Sequence, residues 1–301
     1  MNPHSSFAGD LPQTFGFPIL NAGPAIRKTP LHTHSPNAGS YFLRQPLRTP
    51  VKQSPVSETT PHLPLLSVVI PVFNEEDNVL PLAREILTAL DYFENRIEVI
   101  FVDDASTDAT AHRLRMCGLP GVRVISHGLN AGQSAAVATG FRNATAGWVA
   151  TLDGDGQNDP SDLVAMYATA LREKVDCVTG VRLNRKDNMG RRVSSKIANS
   201  FRNLITGDEV IDSGCGIRVV RRSALAEIPV FNGMHRFLPT LLRGQGYSVV
   251  QQTVNHRERT HGVSKYGVGN RLWRGIRDCF GIRWYLGRAV PSNRTGGIDH
   301  A

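Results

Sequence analysis

Apolar and polar positions alternate in blocks along most of this chain. Leu65 to Phe73, LLSVVIPVF, is a continuous apolar, β-branched run, the pattern of a strand covered on both faces. Val79, Leu82, Ala83, Ile86, Leu87 and Leu90 then fall on one helical stripe, with Asn74 near the helix entrance and Pro81 early enough to be tolerated. IEVIFVDD predicts a second strand ending in Asp103-Asp104, after which Ser106, Thr107 and Asp108 offer N-cap chemistry for a short helix. VRVIS predicts a third strand. In the next segment Ala136, Gly140 and Ala144 recur four apart, a small-residue face that lets a helix approach a sheet closely. A fourth strand runs from Trp148 towards Asp153-Gly154-Asp155. Asp159 and Pro160 then read as N-cap and first residue of a helix carrying Leu163, Met166, Tyr167, Ala170 and Leu171, and DCVTGVR as a fifth strand. Such alternation implies an α/β fold, a mostly parallel sheet flanked by helices with ligands at the strands' carboxyl ends.

Both ends depart from this pattern. Residues 1–62 are rich in Pro, His, Ser, Thr and Asn without a sustained period, and read as a disordered or loosely ordered extension. From about Leu183 the alternation breaks into a basic helical stretch, RRVSSKIANSFRNLI, then DSGCGIRVVRRSAL and a strand-like SVVQQTVNHRER. From Arg271, the residues Leu272, Trp273, Ile276, Cys279, Phe280 and Trp284 are spaced as one broad helical stripe, with arginines crowding the rest. The expected organisation is therefore an extension over 1–62, an α/β domain over 63–268, and a basic amphipathic, membrane-associating segment over 269–301.

Composition narrows the partners. The 301 residues carry a net charge of +8, which favours anionic ligands: a nucleotide, a phosphorylated lipid, a membrane surface or nucleic acid. Nucleic acid is set aside, because its recognition brings clustered basic and aromatic readers that the core lacks. Cys117, Cys177, Cys215 and Cys279 are scattered with no CxxC pair, against a zinc site or disulfide framework and in keeping with a reducing compartment. No apolar run reaches the roughly 18 residues of a membrane-spanning helix, and the N-terminus lacks a signal-peptide pattern.

The chemistry collects at strand ends. Asn74-Glu75, Asp103-Asp104 and Asp153-Gly154-Asp155 each follow an apolar run, and a parallel sheet brings such ends to one edge. Two carboxylates flanking one small residue make a hard, oxygen-rich ligand set suited to Mg²⁺ or Mn²⁺ carrying a diphosphate. The first strand is not followed by GxGxxG, and no GxxxxGK[ST] is present, so a dinucleotide oxidoreductase and a P-loop are disfavoured.

The segments IPVFNEEDN, VDDASTDAT, NAGQSAAVATG, LDGDGQNDP, GVR, RRVSSKIAN, DSGCGIR and RTHGVSKYG occur in that order. From about Leu66 to Gly267 the chain resembles glycosyltransferase family 2, of GT-A fold, and within it the polyprenyl-phosphate (dolichol-phosphate mannose synthase-like) branch. The family's Asp-Ala-Asp is Asp-Gly-Asp here, expected to be a benign swap. Cys215 stands for the serine of the DxxSGFR pattern and Ile217 for its aromatic residue, which bears on the acceptor side. The resemblance implies that Pro71, Phe73, Glu75 and Asp104 hold the base and ribose, and that Asp155 and Gln157 ligate the metal. Asp153 would lie nearer the ribose or the outer metal shell, with Gly154 between. Arg182 would face the sugar-phosphate end, and Arg259, Ser264 and Lys265 would close over the diphosphate, where cations offset leaving-group charge. Arg192, Ser195, Asn199, Asp212 and Arg218 match acceptor-side positions.

These expectations describe a metal-dependent, inverting enzyme that moves one sugar from a nucleotide-sugar to a polyprenyl phosphate, cytoplasmic and peripherally bound to the membrane. An ionised lipid phosphate is already a nucleophile near neutral pH, so no dedicated base is demanded. An integral membrane partner or a second copy of the chain completes the expected partners. Two rivals stand beside it. Transfer to a saccharide or lipid hydroxyl would require a catalytic carboxylate, with Asp212 the nearest candidate; the other rival is a non-catalytic nucleotide-sugar-binding protein.

Overall fold

The computed structural model describes residues 63–182, 189–258 and 268–290, with side chains outside that description at 189–196 and 268–274. The extension over 1–62 lies outside the described residues, as do Arg259, Ser264 and Lys265, and the side chains of Arg192 and Ser195.

The strands are β1 (Leu66–Val72), β2 (Ile97–Asp103), β3 (Val122–Ser126), β4 (Trp148–Thr151), β5 (Cys177–Val181), β6 (Arg218–Arg221) and β7 (Val249–Thr253). They form one sheet in the order β3-β2-β1-β4-β6-β5-β7. Every pairing is parallel except those of β6, which runs antiparallel to both β4 and β5. The helices are α1 (Val79–Ala89), α2 (Thr110–Met116), α3 (Gln133–Asn143), α4 (Asp162–Glu173), α5 (Met189–Thr206), α6 (Arg222–Leu225), α7 (Met234–Gly244) and α8 (Val268–Leu286).

Successive side chains of a strand point to opposite faces, and the unbroken apolar runs are split accordingly. Leu66, Val68, Ile70, Val99 and Phe101 pack with Val79, Leu82 and Ile86 of α1 and Leu163 and Met166 of α4. Val69, Ile100 and Val102 face the other way, onto Ala136 and Val137 of α3 and Phe237, Leu238, Leu241 and Leu242 of α7. The small-residue face of α3 meets β1 as expected: a side-chain carbon at Gly140 would lie 2.1 Å from Val69 Cγ1.

Three expectations need correction. The helix after β4 is entered at Ser161 rather than Asp159. Asp159 instead accepts hydrogen bonds from the Ser161 amide and hydroxyl, at 3.0 and 2.7 Å, making an Asx turn one step before the helix. Cys215 is fully buried against Gly180 and Ile217, so the residue standing for the family's serine belongs to the core and offers nothing to an acceptor. The C-terminal helix also does not present one apolar stripe. Cys279 and Ile282 are buried in the same core as α7, whereas Phe280 and Trp284 are 55% and 64% exposed. Asp278 of α8 lies against Gly233, at the start of α7. The helix therefore docks on the protein with one side and turns its aromatic side outward.

A buried ionic cluster ties α5 to α7. Asp208 accepts from Arg202 at 2.9 Å, and from Thr240 and Arg243. Arg202 also lies over the Phe237 ring, 5.6 Å from its centroid.

Candidate active site

The loops that leave β1 and β2 are stitched together. Asn74 adopts a left-handed backbone, φ 51°, which its short polar side chain tolerates. Its amide donates to Ser106 Oγ at 2.9 Å, and its Oδ1 accepts from the Thr107 amide at 2.7 Å. The Glu75 amide donates to Thr110 Oγ1 at 2.8 Å, while Glu75 Oε2 accepts from Asn78 Nδ2 at 2.7 Å. Pro71 and Phe73 are half-buried at the same end of β1.

Asp104 is buried more deeply than a residue that simply faces a ligand. Its carboxylate accepts from the Ala131 and Gly132 amides at 2.9 and 2.7 Å, and pairs with His127 Nδ1 at 2.7 Å. Asp104 thus fastens the start of α3 to the end of β2. His127 passes the contact on to Thr139 Oγ1 at 2.9 Å.

β4 ends at Thr151, and the Asp153 amide donates to Asn158 Oδ1 at 3.0 Å, closing the loop that carries both carboxylates. Gly156 makes the turn at φ 72°. Gly154 is confined: a side-chain carbon there would meet Val72 Cγ1 at 2.6 Å and the Pro71 carbonyl at 3.0 Å. The exchange of alanine for glycine in this motif is therefore matched to Val72, not neutral. Gln157 is held through its amide nitrogen, which donates to the Arg257 carbonyl at 3.3 Å, while the Arg257 amide donates back to the Gln157 carbonyl at 2.9 Å. Asn158 and His256 form a β-bridge beside it. This pairing leaves the Gln157 side-chain oxygen as the end suited to a cation.

β5 delivers Arg182, which grips Asp212 by two parallel bonds, Nε to Oδ2 at 2.7 Å and an Nη2–H to Oδ1 at 2.9 Å. The loop from Asp212 to Gly216 lies across both sets of groups. A side-chain carbon at Gly214 would lie 3.1 Å from the Arg182 guanidinium, and one at Gly216 2.1 Å from Asp153 Oδ2. Arg218, which matches an acceptor-side position, is 4% exposed on β6, between Thr151 and Thr179. Asn199 is likewise engaged, donating to the Ile211 carbonyl at 2.7 Å and accepting from Ser213 Oγ at 2.8 Å.

The donor set fits a divalent cation. Burial, and then the neighbouring Asp155, push the Asp153 carboxyl up to about 6, against the pull of Arg218 and Arg182. Two crowded carboxylates with an amide oxygen nearby are short of positive charge, and a hard dication would supply it. Asp155 and Gln157 are the residues that would hold one, with Asp153 behind.

Sequence reasoning missed Gln133, Ser134, His127 and His235. Gln133 Nε2 donates to Asp153 Oδ1 at 3.1 Å. The signal was present in NAGQSAA, whose polar pair opens α3 directly opposite the carboxylates.

Glycosyl transferase family 2 matches residues 67–229 as a family profile. The chain belongs to this family. It is a glycosyltransferase of the kind that uses nucleotide-sugar donors. Dodecaprenyl-phosphate galacturonate synthase of Rhizobium johnstonii is 38% identical over 77% of this chain and 71% of its own length. Undecaprenyl-phosphate 4-deoxy-4-formamido-L-arabinose transferase of Edwardsiella ictaluri is 34% identical over 67% of this chain, which spans 63% of that relative. Among solved structures, glucosyl-3-phosphoglycerate synthase of Mycobacterium tuberculosis with Mg²⁺ and UDP superposes at a TM-score of 0.57, with 19% identity over 73% of this chain and 80% of that one. Mannosyltransferase PcManGT of Pyrobaculum calidifontis, with GDP-mannose and Mn²⁺, gives 0.52 and 19% over 76% and 71%. These likenesses establish the GT-A fold.

Proposed function

We propose that this chain is a metal-dependent, inverting glycosyltransferase that moves one sugar from a nucleotide-sugar to a polyprenyl phosphate at the cytoplasmic membrane face. The observation that carries the acceptor assignment is the Arg182–Asp212 pair. Asp212 was the carboxylate best placed in the sequence to serve as a base for a hydroxyl acceptor, and the Arg182 guanidinium engages both of its oxygens, which sets it in an ion pair rather than against an acceptor hydroxyl. An acceptor that brings its own negative charge suits such a site, and relatives named for dodecaprenyl and undecaprenyl phosphate supply that acceptor class.

Pro71, Phe73, Glu75 and Asp104 line the end of β1 and β2 where a base and ribose would lie. Mg²⁺ or Mn²⁺ on Asp155 and Gln157 would draw charge from the departing diphosphate. Arg182 stands beside Asp153 to orient the sugar-phosphate, and Arg259, Ser264 and Lys265 are assigned to the diphosphate side. Arg192 and Ser195, three apart on α5, are assigned to the acceptor phosphate, by charge and by hydrogen bond.

No helix among the described residues is long and apolar enough to cross a membrane. Lipid contact is therefore assigned to the outer faces of α5 and α8, which pack together. Ile197, Phe201 and Leu204 are exposed on α5 at helical spacing, and Phe280 and Trp284 on α8. Arg277, Arg283 and Arg288 are exposed beside them, the pattern of an interfacial surface on anionic lipid. The test is incubation of the protein with lipid extract and a panel of radiolabelled nucleotide-sugars, followed by organic extraction. Label moving into the organic phase with release of nucleoside diphosphate is expected; label found only on soluble saccharides would overturn the acceptor class.

A further inference from the structure

The start of α3 is fastened on two sides, although its N-cap is a glycine, Gly132, with no side chain to cap it. On the β2 side the fastening is Asp104. On the other side it is Ser134, 3% exposed, whose hydroxyl accepts from the Gly233 amide at 2.9 Å and lies 2.8 Å from His235 Nδ1. A hydroxyl has one proton and two lone pairs, so while accepting from Gly233 it can also donate to Nδ1 or accept from it, and either tautomer of His235 completes the contact. His235 is the second residue of α7, about a hundred positions from Ser134 along the chain. Gln133, the neighbour of Ser134 in the same helical turn, donates to Asp153.

We propose that His235 is a positioning residue for the transfer reaction: through Ser134 it fixes the first turn of α3, and so the direction from which Gln133 holds Asp153. This rests on the reading of Asp153-Gly154-Asp155 as the donor site. It assigns α7 a part in donor binding that its distance along the sequence conceals. Asp153 lies in the loop after β4, and the Gln133 amide that holds its carboxylate comes from a helix end that would otherwise fray.

The test is a mutant cycle on the full chain between His235→Ala and Gln133→Ala, read in two ways. One is release of nucleoside diphosphate from the nucleotide-sugar; the other is Mn²⁺ affinity in the presence of UDP, by electron paramagnetic resonance. Loss of one neutral hydrogen bond predicts about a three- to tenfold fall in turnover for His235→Ala. The double variant should be no worse than Gln133→Ala alone, because both break the same chain of contacts. His235→Asn, whose side-chain amide can take the place of Nδ1 as acceptor or donor, should recover most of the loss. Additive effects, or a His235→Asn variant as impaired as His235→Ala, would overturn the proposal while leaving the donor site intact. A wild-type protein that neither binds Mn²⁺ nor turns over would overturn the donor-site reading and this proposal with it. If His235→Ala does not fold, Ser134→Ala replaces it in the cycle with the same expectations.

Discussion

Gly216 is pressed against the carboxylate of Asp153, so closely that a side-chain carbon at 216 would lie 2.1 Å from Oδ2. No rotation of a methyl group avoids that contact, and Asp153 is the part free to give. Gly216→Ala should therefore swing the carboxylate away from Gln133 and Arg218. A fall in donor turnover of at least about tenfold is expected, the scale on which a small displacement of a catalytic group acts. Thermal melting alongside separates this from unfolding: a turnover loss that merely follows a lower Tm would refute the local account.

Metal dependence has a sharper test. EDTA should abolish transfer and Mg²⁺ or Mn²⁺ restore it, while Asp155→Ala should lose at least about two orders of magnitude in turnover. Full activity of that variant in EDTA would remove the cation from the scheme.

The Arg182–Asp212 pair bears on which acceptor is used. Asp212→Asn keeps the shape but loosens Arg182, so activity should fall without losing the base-dependent limb of the pH–rate profile. Disappearance of that limb would make Asp212 a general base and favour a hydroxyl acceptor. Arg182→Lys should not rescue, because an ammonium cannot reproduce the two parallel bonds.

At the opposite edge of the sheet, Glu98 is a stability determinant. Burial works to raise its carboxyl, but hydrogen bonds from Ser67, Thr145 and Arg123 outweigh it and hold the group below its usual 4.5. A depressed carboxyl contributes stability that is present above that ordinary value and is lost as pH falls through the folded value. Glu98→Gln should lower stability at neutral pH by about 1–3 kcal/mol and flatten the acid limb of a urea-midpoint against pH plot. An unchanged acid limb would show that other carboxylates govern it.

For the membrane, the division of α8 decides which variants are informative. Truncation after Gly269 would remove Cys279 and Ile282 from the core and should leave an unstable protein. Phe280→Ser with Trp284→Ser touches the exposed side alone. Sedimentation with anionic vesicles should be lost while Tm stays within a few degrees. Undiminished vesicle binding would move lipid contact to another surface.

How much of this was legible follows from the length of each pattern. β1 and β2 are long apolar runs, and α1 and α4 carry full stripes, so the donor half could be read directly. β6 could not: Arg218-Val-Val-Arg221 is four residues between charged positions, and nothing in it signals antiparallel insertion. α7 was hidden by Pro239 and by the charges of MHRFLPTLLRG, although Phe237, Leu238, Leu241 and Leu242 are its buried face. The stripe of α8 reads wider in the sequence than the buried side is, because Phe280 and Trp284 are apolar wherever they point. Periodicity reports which residues share a side, not what covers it. Asp104 and Asn199 were recognisable as polar residues at strand and helix positions, but their partners lie far along the chain.

The reversed direction of β6 has a consequence for how the site can diversify. In a parallel strand the residues that reach the ligand edge follow the strand, and each loop serves one station. β6 arrives at that edge from its amino end, so Asp212 to Gly216 pass Arg182 and Asp153 before the strand begins. One short loop thus abuts both the Arg182–Asp212 pair and the Asp153 carboxylate. Insertions elsewhere on the rim can alter a single specificity, whereas a change of length here would disturb donor and acceptor together, and lineages that changed sugar or lipid should have kept this loop's length.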